Sequence, residues 1–210
     1  LGDVYKRQIQ TEWIWRMDAD EYLTQELIAE LHETLPTLPE NINGLTAPCL
    51  RIFMGRYIKH GIIPLILLRL FKLKYASIEN KFMDEHIQLA EGNVGTLKNA
   101  FYDDNRNGLT WWTNKHNGYA TREALDLLLT EYKLMEQNAN GSTGEHTSAV
   151  RRKKLKYIRL PLFWRSFGFF IYRYIFRLGF LDGKEGFLWH FLQGFWYRSL
   201  ADAKVYEIKK

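Results

Sequence analysis

The sequence predicts an α/β fold, and three observations lead to that prediction. An apolar run at residues 13–17 ends in Asp18-Ala19-Asp20, and an apolar stripe with helical spacing follows directly. The stripe consists of Leu23, Leu27, Ile28, Leu31 and Leu35. Two more apolar runs, at 47–58 and 65–71, have the length and composition of strands. With 46% hydrophobic and 15% aromatic residues among 210, the chain can bury one sizeable core, which excludes a disordered protein.

The remaining elements follow from turn signals and periodicity. A loop marked by Pro36, Pro39 and Asn43-Gly44 follows the first helix, and residues 75–83 predict a further extended segment. The stretch 103–119, rich in Asn, Asp, Gly and Trp, predicts a long loop, after which Thr121 caps a second helix. One face of that helix carries Ala124, Leu128, Tyr132 and Met135.

Composition divides the chain into four parts. Residues 1–8 carry no periodicity that continues into the first strand, and we expect them to be a non-native leader. Residues 9–137 form the α/β domain, and the polar residues 138–150 form a flexible linker. Residues 151–210 are basic and aromatic, and we expect them to be mostly helical.

Cysteine usage and the length of apolar runs narrow the class of protein. The single cysteine, Cys49, excludes an internal disulfide framework and any cysteine-rich zinc module. The N-terminus has no basic start followed by an apolar block, so the sequence predicts no signal peptide. Apolar stretches near 62–68 and 166–172 are interrupted by arginines and fall short of the roughly 20 residues that a spanning helix needs. We expect a soluble or peripheral protein.

The most informative motif is the Asp18-Ala19-Asp20 triplet at the carboxyl end of the first strand, which we expect to be buried. Residues i and i+2 of a strand point the same way, so a loop just beyond it lets both carboxylates reach one hard divalent cation. Such a cation can bridge to the diphosphate of a nucleotide bound at the carboxyl end of a sheet. The competing interpretation is a helix start that carries Asp and Glu21 near the positive end of its dipole.

A second acidic cluster, Asp84-Glu85-His86, follows the apolar pair Phe82-Met83. A carboxylate at the edge of an apolar run is placed to take a proton from an acceptor hydroxyl. One cluster that holds a metal and a diphosphate, together with another that supplies a base, would make a transfer site. A turn between a strand and a helix explains the same tripeptide.

The third constellation is the heptapeptide Trp-Trp-Thr-Asn-Lys-His-Asn, which combines two tryptophans with amide, hydroxyl and basic groups. An aromatic face can stack on the apolar side of a sugar ring while Asn114 bonds to its hydroxyls. Lys115 and His116 can meet a phosphate. The alternative is that both tryptophans are core residues beneath a loop. Because adjacent residues rarely point the same way, we expect Trp111 in the core and Trp112 at the acceptor.

The C-terminal block is strongly basic at its start. Between 151 and 177 there are nine Lys and Arg residues and no Asp or Glu, and aromatic residues alternate with the basic ones. This composition is typical of a helix that lies in the headgroup layer of an anionic bilayer. Nucleic acid is the rival partner, but no nucleic-acid-binding motif accompanies the stretch. The third interpretation is that one face packs back onto the α/β domain. Outside this block, we expect Arg56 and Lys59 on a solvated face.

Five motifs are spread over the chain from about Glu12 to Glu207. They are Arg16-Met17-Asp18-Ala19-Asp20-Glu21, Phe53-Met54-Gly55-Arg56, Met83-Asp84-Glu85-His86, Trp111-Trp112-Thr113-Asn114-Lys115-His116-Asn117 and Gly179-Phe180-Leu181-Asp182-Gly183. As a set, these motifs resemble bacterial family 2 glycosyltransferases, and within that family the enzymes that build lipopolysaccharide core or capsular polysaccharide. No single motif would carry the resemblance.

The resemblance implies a GT-A fold, a nucleotide-binding α/β sandwich, of which this chain has the C-terminal part followed by an amphipathic helical extension. It implies that Asp18 and Asp20 bind Mn²⁺ or Mg²⁺ and the sugar-nucleotide diphosphate, with His86 as a further metal contact. Asp84 is the expected base of an inverting displacement and Glu85 the second choice. Many relatives have Glu-Asp where this chain has Asp-Glu.

The family pattern also sets expectations for partners and location. In the family the nucleotide-binding units precede the Asp-X-Asp strand, whereas here only about a dozen residues do, so we expect an N-terminally truncated chain. The expected activity is transfer from a nucleotide-sugar donor to a lipopolysaccharide or other lipid-linked acceptor, at the cytoplasmic face of the inner membrane. The tail would lie on the anionic membrane surface, and no nucleic-acid partner is expected. The alternative is a non-catalytic basic protein that binds membrane surfaces and whose acidic clusters are only turns.

Overall fold

The computed structural model describes residues 9–62, 65–78, 87–132 and 157–210, and its mixed α/β architecture confirms the predicted class. The strands are β1 (Trp13–Trp15), β2 (Glu21–Leu23), β3 (Ile42–Phe53), β4 (Arg56–Tyr57), β5 (Leu65–Lys72), β6 (Ala76–Ile78), β7 (Ile87–Leu89), β8 (Asn93–Thr96) and β9 (Phe101–Asp104). The α-helices are α1 (Gln25–Thr34), α2 (Leu109–Glu131), α3 (Trp164–Ile171), α4 (Gly183–Trp189) and α5 (Tyr197–Lys209). Short 3₁₀ turns lie at Leu35–Thr37, Leu73–Tyr75 and Gly179–Asp182, and π-helical turns at Tyr172–Phe176 and His190–Trp196.

Within the described residues, a seven-stranded sheet is built around β3. Its main order is β1-β5-β3-β9-β2, and β4 and β8 also pair with β3. Strands β4 and β5 run antiparallel to β3, whereas β8 and β9 run parallel to it. The run predicted at 65–71 is β5, and the run predicted at 47–58 supplies the second half of β3 together with β4. Strand β3 begins at Ile42, so the prediction that Asn43-Gly44 belongs to a loop was wrong. Gly44 lies inside the strand because the chain packs so closely there that a Cβ would lie 2.7 Å from Leu68. Strands β6 and β7 form a separate antiparallel pair.

The sheet curls, so that strands at its two ends approach each other. Arg69 on β5 forms an ion pair with Glu21 on β2, although β3 and β9 lie between those strands. In a flat sheet, three steps of about 4.8 Å would hold these strands roughly 14 Å apart, too far for side chains that stand perpendicular to the sheet. The same curl lets the short segment 16–20 connect β1 to β2.

Helix α1 begins at a side-chain cap. The hydroxyl of Thr24 accepts from the N–H of Leu27 at 3.1 Å and donates to the carbonyl of Ala100 at 2.9 Å. Leu27 is fully buried and belongs to the same cluster as Leu45 and Phe101 of the sheet. The prediction that the helix follows the acidic triplet directly was wrong, because β2 lies between them and pairs with β9.

The run predicted as one strand at 47–58 is interrupted by a two-residue turn between β3 and β4. Met54 and Gly55 have φ values of 51° and 79°, and Phe53 pairs with Arg56 across them. Positive φ at both central positions is the type I′ geometry, whose twist matches that of antiparallel strands. The Phe53-Met54-Gly55-Arg56 motif is therefore a tight hairpin.

Helix α2 occupies the region where the sequence predicted a long loop, so that prediction was wrong. The helix begins at Leu109, well before the predicted cap at Thr121. Its buried face consists of Trp112, Ala120, Ala124, Asp126, Leu127 and Leu128. This face packs against α5, and the packing outweighs the low helix propensity of the exposed Asn117 and Gly118.

A buried carboxylate fixes α3 against α5. The side chain of Asp202 accepts from the N–H of Phe163 at 2.8 Å, from the hydroxyl of Ser166 at 3.0 Å and from the guanidinium of Arg165. Arg165 also donates to the carbonyl of Ile158 at 3.0 Å. Arg165 is therefore buried and paired rather than placed in a headgroup layer as its sequence context suggested.

A second buried carboxylate ties the C-terminal helices to the sheet. Asp182 accepts from the backbone N–H groups of Lys59 and His60 at 3.0 and 2.8 Å, and its other oxygen lies 2.7 Å from His60 Nδ1. Arg173 donates through Nε to the carbonyl of Gly61 at 2.9 Å. Arg173, another residue that the sequence placed among surface cations, is thus buried against the loop that follows β4.

A shared hydrophobic cluster joins the sheet to the C-terminal helices. Phe53 and Ile58 from the β3–β4 region pack with Trp112 of α2 and Trp189 of α4. The interpretation that one face of the C-terminal block packs onto the α/β domain is therefore confirmed. None of the helices described here combines the length and apolar character required to cross a membrane.

Candidate functional site

The acidic corner, defined here as residues 18–21, is a closed turn between β1 and β2. The carbonyl of Asp18 accepts from the N–H of Glu21 at 3.0 Å, and the carboxylate of Glu21 accepts from the N–H of Asp18 at 3.1 Å. These two bonds fix the backbone from which Asp18 and Asp20 project. The acidic turn follows a strand as predicted, but β1 is half-buried at one end of the sheet rather than fully buried.

Arg69 of β5 partners two carboxylates of the acidic corner. Its guanidinium donates to Asp18 Oδ2 at 3.1 Å and forms a direct ion pair with Glu21, whose side chain is buried. Burial raises the pKa of Glu21, while the Asp18 N–H and the Arg69 charge act in the opposite direction. Glu21 therefore holds the turn to the sheet and is not open to a ligand.

Asp18 and Asp20 each keep one oxygen for a ligand. Asp18 has 53% of its side chain exposed, and Asp20 accepts from the Asn105 amide at 2.7 Å through Oδ2. Within the described ranges, neither Oδ1 atom has a hydrogen-bond partner. Carboxylate oxygens are the ligand type that Mg²⁺ and Mn²⁺ take, and Mg²⁺ typically binds through one or two carboxylates and completes its shell with water and phosphate, which makes these two oxygens the candidate ligands of the site. Phosphate would be needed here, because no group of three His, Cys, Asp or Glu side chains suited to a metal occurs in the described part of the chain.

Asp103 and Arg51 extend this charged site across the sheet. Asp103 of β9 lies in register with Glu21 of β2 on one side and Arg51 of β3 on the other, and its Oδ2 is 2.6 Å from Arg51 Nη1. Burial raises the pKa of Asp103; the Arg51 charge lowers it, and the Asp20 and Asp18 charges raise it further. A cation held by Asp18 and Asp20 would offset this mutual repulsion.

Sequence reasoning missed four residues of the site: Arg51, Arg69, Asp103 and Asn105. The two arginines lie inside apolar strand runs, where a charged residue signals a buried partner. Asp103 and Asn105 fell in the stretch predicted as a loop. Their link to the acidic corner depends on the pairing of β9 with β2, which no local pattern indicates.

Trp112 lies in the core, and the half-buried His116 packs against it. Trp112 is only 7% exposed, and its ring stacks on that of His116 with centroids 3.5 Å apart and 18° between the planes. The Nδ1 atom of His116 lies 2.9 Å from the carbonyl of Trp112, and burial lowers the pKa of His116 to about 4. Their positions therefore do not support the acceptor role predicted for Trp112 or the phosphate contact predicted for His116.

Trp111 is the surface tryptophan of the pair, so the prediction that placed it in the core was wrong. Its side chain is 41% exposed, and Lys115 Nζ lies 4.6 Å from the centre of its ring. Adjacent residues on a helix point about 100° apart, which is why one tryptophan faces the core and the other faces solvent. Asn114 is exposed on the same helix. The predicted roles of Lys115 and Asn114 stay predictions.

The second acidic cluster lies outside the described residues. Asp84 and Glu85, the candidate bases, and His86, the further metal candidate, belong to the connection between β6 and β7. Their roles therefore also stay predictions.

No family model, curated protein or solved structure matches this chain.

Proposed function

We propose that the chain takes part in metal-dependent glycosyl transfer from a nucleotide-sugar donor to a lipopolysaccharide or other lipid-linked acceptor. The observation that supports this most strongly is the pair of free carboxylate oxygens on Asp18 and Asp20, on a turn fixed by Glu21 and Arg69. A GT-A arrangement is part of the proposal, and what supports it is the mixed α/β architecture with its curled sheet.

In the proposed reaction the residues of this chain bind the cation, orient its carboxylate ligands and accept a proton from the acceptor. Asp18 and Asp20 would hold Mn²⁺ or Mg²⁺, whose charge offsets the negative charge on the leaving diphosphate. Arg69 orients Asp18 and Asn105 orients Asp20, as second-layer hydrogen bonds commonly do for metal ligands. Either Asp84 or Glu85 takes the proton from the acceptor hydroxyl. Lys115 and Asn114, on the surface of α2, are candidates for phosphate and acceptor contacts.

The alternative, a non-catalytic protein that binds membrane surfaces, has one observation in its favour. Asp18 and Glu21 both pair with Arg69, which is what a purely structural turn would show. The two proposals differ in what Asp18 and Asp20 do when a divalent cation and a nucleoside diphosphate are present.

Mn²⁺ titration followed by electron paramagnetic resonance, with and without UDP, distinguishes the two. We expect UDP to tighten Mn²⁺ binding by roughly tenfold or more, because diphosphate oxygens fill positions that the two carboxylates leave open. Asp20→Asn should remove most of this increase while leaving the circular dichroism spectrum unchanged. Glu131→Gln is the matched control, since Glu131 is an exposed carboxylate paired with Lys209.

Two outcomes would refute the proposed function. One is UDP-dependent Mn²⁺ binding that survives the double change Asp18→Asn and Asp20→Asn. The other is a complete lack of Mn²⁺ binding, with or without UDP, in the folded wild-type chain.

A further inference from the structure

Among the described residues, exposed apolar side chains are concentrated on the C-terminal helices. Eight rings there form one continuous series of ring contacts, called here the aromatic ridge. It consists of Trp164, Phe167, Phe195, Phe191, Phe170, Tyr174, Phe187 and Phe180. Trp164 is 74% exposed, and Phe167, Phe180, Phe187 and Phe191 are exposed as well. A contiguous apolar surface of this kind marks an interaction site rather than ordinary surface.

The ridge continues into the turn between α3 and α4, called here the apolar tip. Phe176, Leu178 and Leu181 are exposed there, Phe176 by 73%. The tip is held to the sheet by backbone, since the carbonyl of Arg177 accepts from the N–H of Gly61 at 2.9 Å. Its apolar side chains are therefore presented on a fixed support.

Exposed cations accompany the apolar tip and come from both halves of the chain. Arg177 and Lys184 belong to the tip and the start of α4, and Arg56 and Lys59 belong to β4 and its following loop. These two segments are in contact: the N–H of Lys59 donates to Asp182, and Arg56 lies 3.6 Å from Glu185.

The exposed charge of this surface is positive. Of its two carboxylates, Asp182 is buried and Glu185 is paired with Arg56. The expectation that Arg56 and Lys59 are solvent-exposed is confirmed, and the structure adds that they lie beside the tip.

We propose that the aromatic ridge and the apolar tip insert into the interface of an anionic bilayer, with Arg56, Lys59, Arg177 and Lys184 at the level of the lipid phosphates. Trp and Phe side chains favour this interface, and nearby Lys and Arg are attracted to anionic lipids. Because Asp182 ties the β4 loop to the tip, the depth of insertion sets the height of the sheet above the membrane. The purpose of this surface, access to a lipid-linked acceptor, rests on the proposed function.

A second copy of the chain is a less favourable partner for this surface than an anionic bilayer. A symmetric dimer through this face would bring the same four cations of both copies towards each other, and like charges across an interface oppose association. Anionic lipid instead supplies the opposite charge. The positive rim therefore selects the bilayer as the partner.

Co-sedimentation of the full chain with lipid vesicles, in the absence of nucleotide, tests the inference. We expect binding to phosphatidylcholine vesicles that contain about one third phosphatidylglycerol, and roughly tenfold weaker binding to pure phosphatidylcholine. Trp164→Ala and Phe176→Ala should each weaken binding by about tenfold through the loss of apolar area. Lys184→Gln should weaken it by about fivefold.

Matched controls separate insertion from misfolding. Trp111→Ala removes an exposed tryptophan from α2, and Lys98→Gln removes an exposed lysine from the loop before β9, and both should bind vesicles like the wild type. Trp164→Phe keeps an apolar aromatic ring and should retain most of the binding. Brominated lipid should quench the fluorescence of the wild type more than that of Trp164→Phe.

Three results would overturn the inference. They are equal binding to both kinds of vesicle, wild-type binding by Trp164→Ala, and a lipid-free dimer in solution that Trp164→Ala dissociates. A chain that binds vesicles as expected but shows no Mn²⁺ binding, with or without UDP, would refute the proposed function alone.

Discussion

Asp202→Asn tests whether a buried ion pair holds the C-terminal helices together. The side chains of Asp202 and Arg165 are each only 2% exposed, and the carboxylate also accepts from Phe163 N–H and the Ser166 hydroxyl. Asparagine keeps the size of the side chain but removes its charge, which leaves the Arg165 guanidinium buried without a counter-charge. Removing one partner of a buried pair costs about 3–5 kcal/mol.

This loss is large compared with the stability of a typical domain, which is roughly 5–15 kcal/mol. For a chain of this size each kcal/mol lowers Tm by about 2–4 °C, so Tm should fall by roughly 6–20 °C. Urea unfolding followed by tryptophan fluorescence, with Tm from circular dichroism, measures both quantities. Glu131→Gln breaks the exposed pair with Lys209 and should change the free energy of unfolding by less than about 1 kcal/mol.

A double variant shows whether the cost comes from the stranded charge. Arg165→Met combined with Asp202→Leu removes both charges and should recover most of the stability that Asp202→Asn loses, because apolar side chains can replace a buried pair. A loss below about 1 kcal/mol in Asp202→Asn would refute the reasoning. So would a double variant less stable than the single one.

Two further predictions concern the loop that follows β4 and the buried His190. Gly61→Ala should lower the free energy of unfolding by about 2 kcal/mol or more, because Gly61 has a φ of 70° and a Cβ there would lie 2.5 Å from the carbonyl oxygen of Arg173. The control is Gly118→Ala, at a position on α2 where a Cβ meets open space. It should stabilise the chain by about 0.5–1 kcal/mol in the same urea assay. Burial lowers the pKa of His190 to about 4 from its ordinary value of 6.5, so the unfolded chain binds the proton more readily. His190 should therefore make stability fall as the pH drops from 6.5 towards 4, by up to about 1.4 kcal/mol per pH unit, and the lowered pKa of His116 adds a contribution of the same sign. The raised pKa values of Glu21 and Asp103 act in the opposite direction at the acidic end of this range. Because His190→Gln removes the histidine contribution, its urea midpoint should fall less steeply with decreasing pH than that of the wild type. An unchanged dependence of the urea midpoint on pH would contradict the assignment to His190.

The elements that the sequence predicted correctly are those specified by local pattern. Strand β5 coincides with a continuous apolar run, and the second half of β3 lies in another, whereas the start of β3 at Ile42 was not predicted. The second half of α2 was predicted from the apolar face that carries Ala124 and Leu128. Its first half was missed because Asn117 and Gly118 lower the local propensity and the stability of the helix comes from packing on α5, much later in the chain. The acidic corner was found, but β2 was not, since three residues carry too little periodicity to predict a strand.

The candidate site was predictable only where it is contiguous in sequence. Asp18 and Asp20 stand out as a triplet, whereas Arg69 and Asp103 meet the corner through the curl of the sheet and the register of β9. For Trp111 and Trp112, alternation predicted that one of the two is buried. Which one is buried depends on where α5 and α4 lie, and no local signal gives that position.

Arg51 shows why the acidic corner and the C-terminal helices must be considered as one unit. Its guanidinium pairs with Asp103 at 2.6 Å and also lies 5.6 Å from the centre of the Trp189 ring on α4. Trp189 packs with Phe53 and Trp112, so the helix that carries part of the aromatic ridge also supports the arginine that partners the half-buried Asp103 of the site. A change that displaces α4 would weaken this support, and Arg51 would then compensate the negative charge of Asp103 less effectively. The charge balance around Asp18 and Asp20 therefore depends on the packing of helices that make no direct contact with either residue.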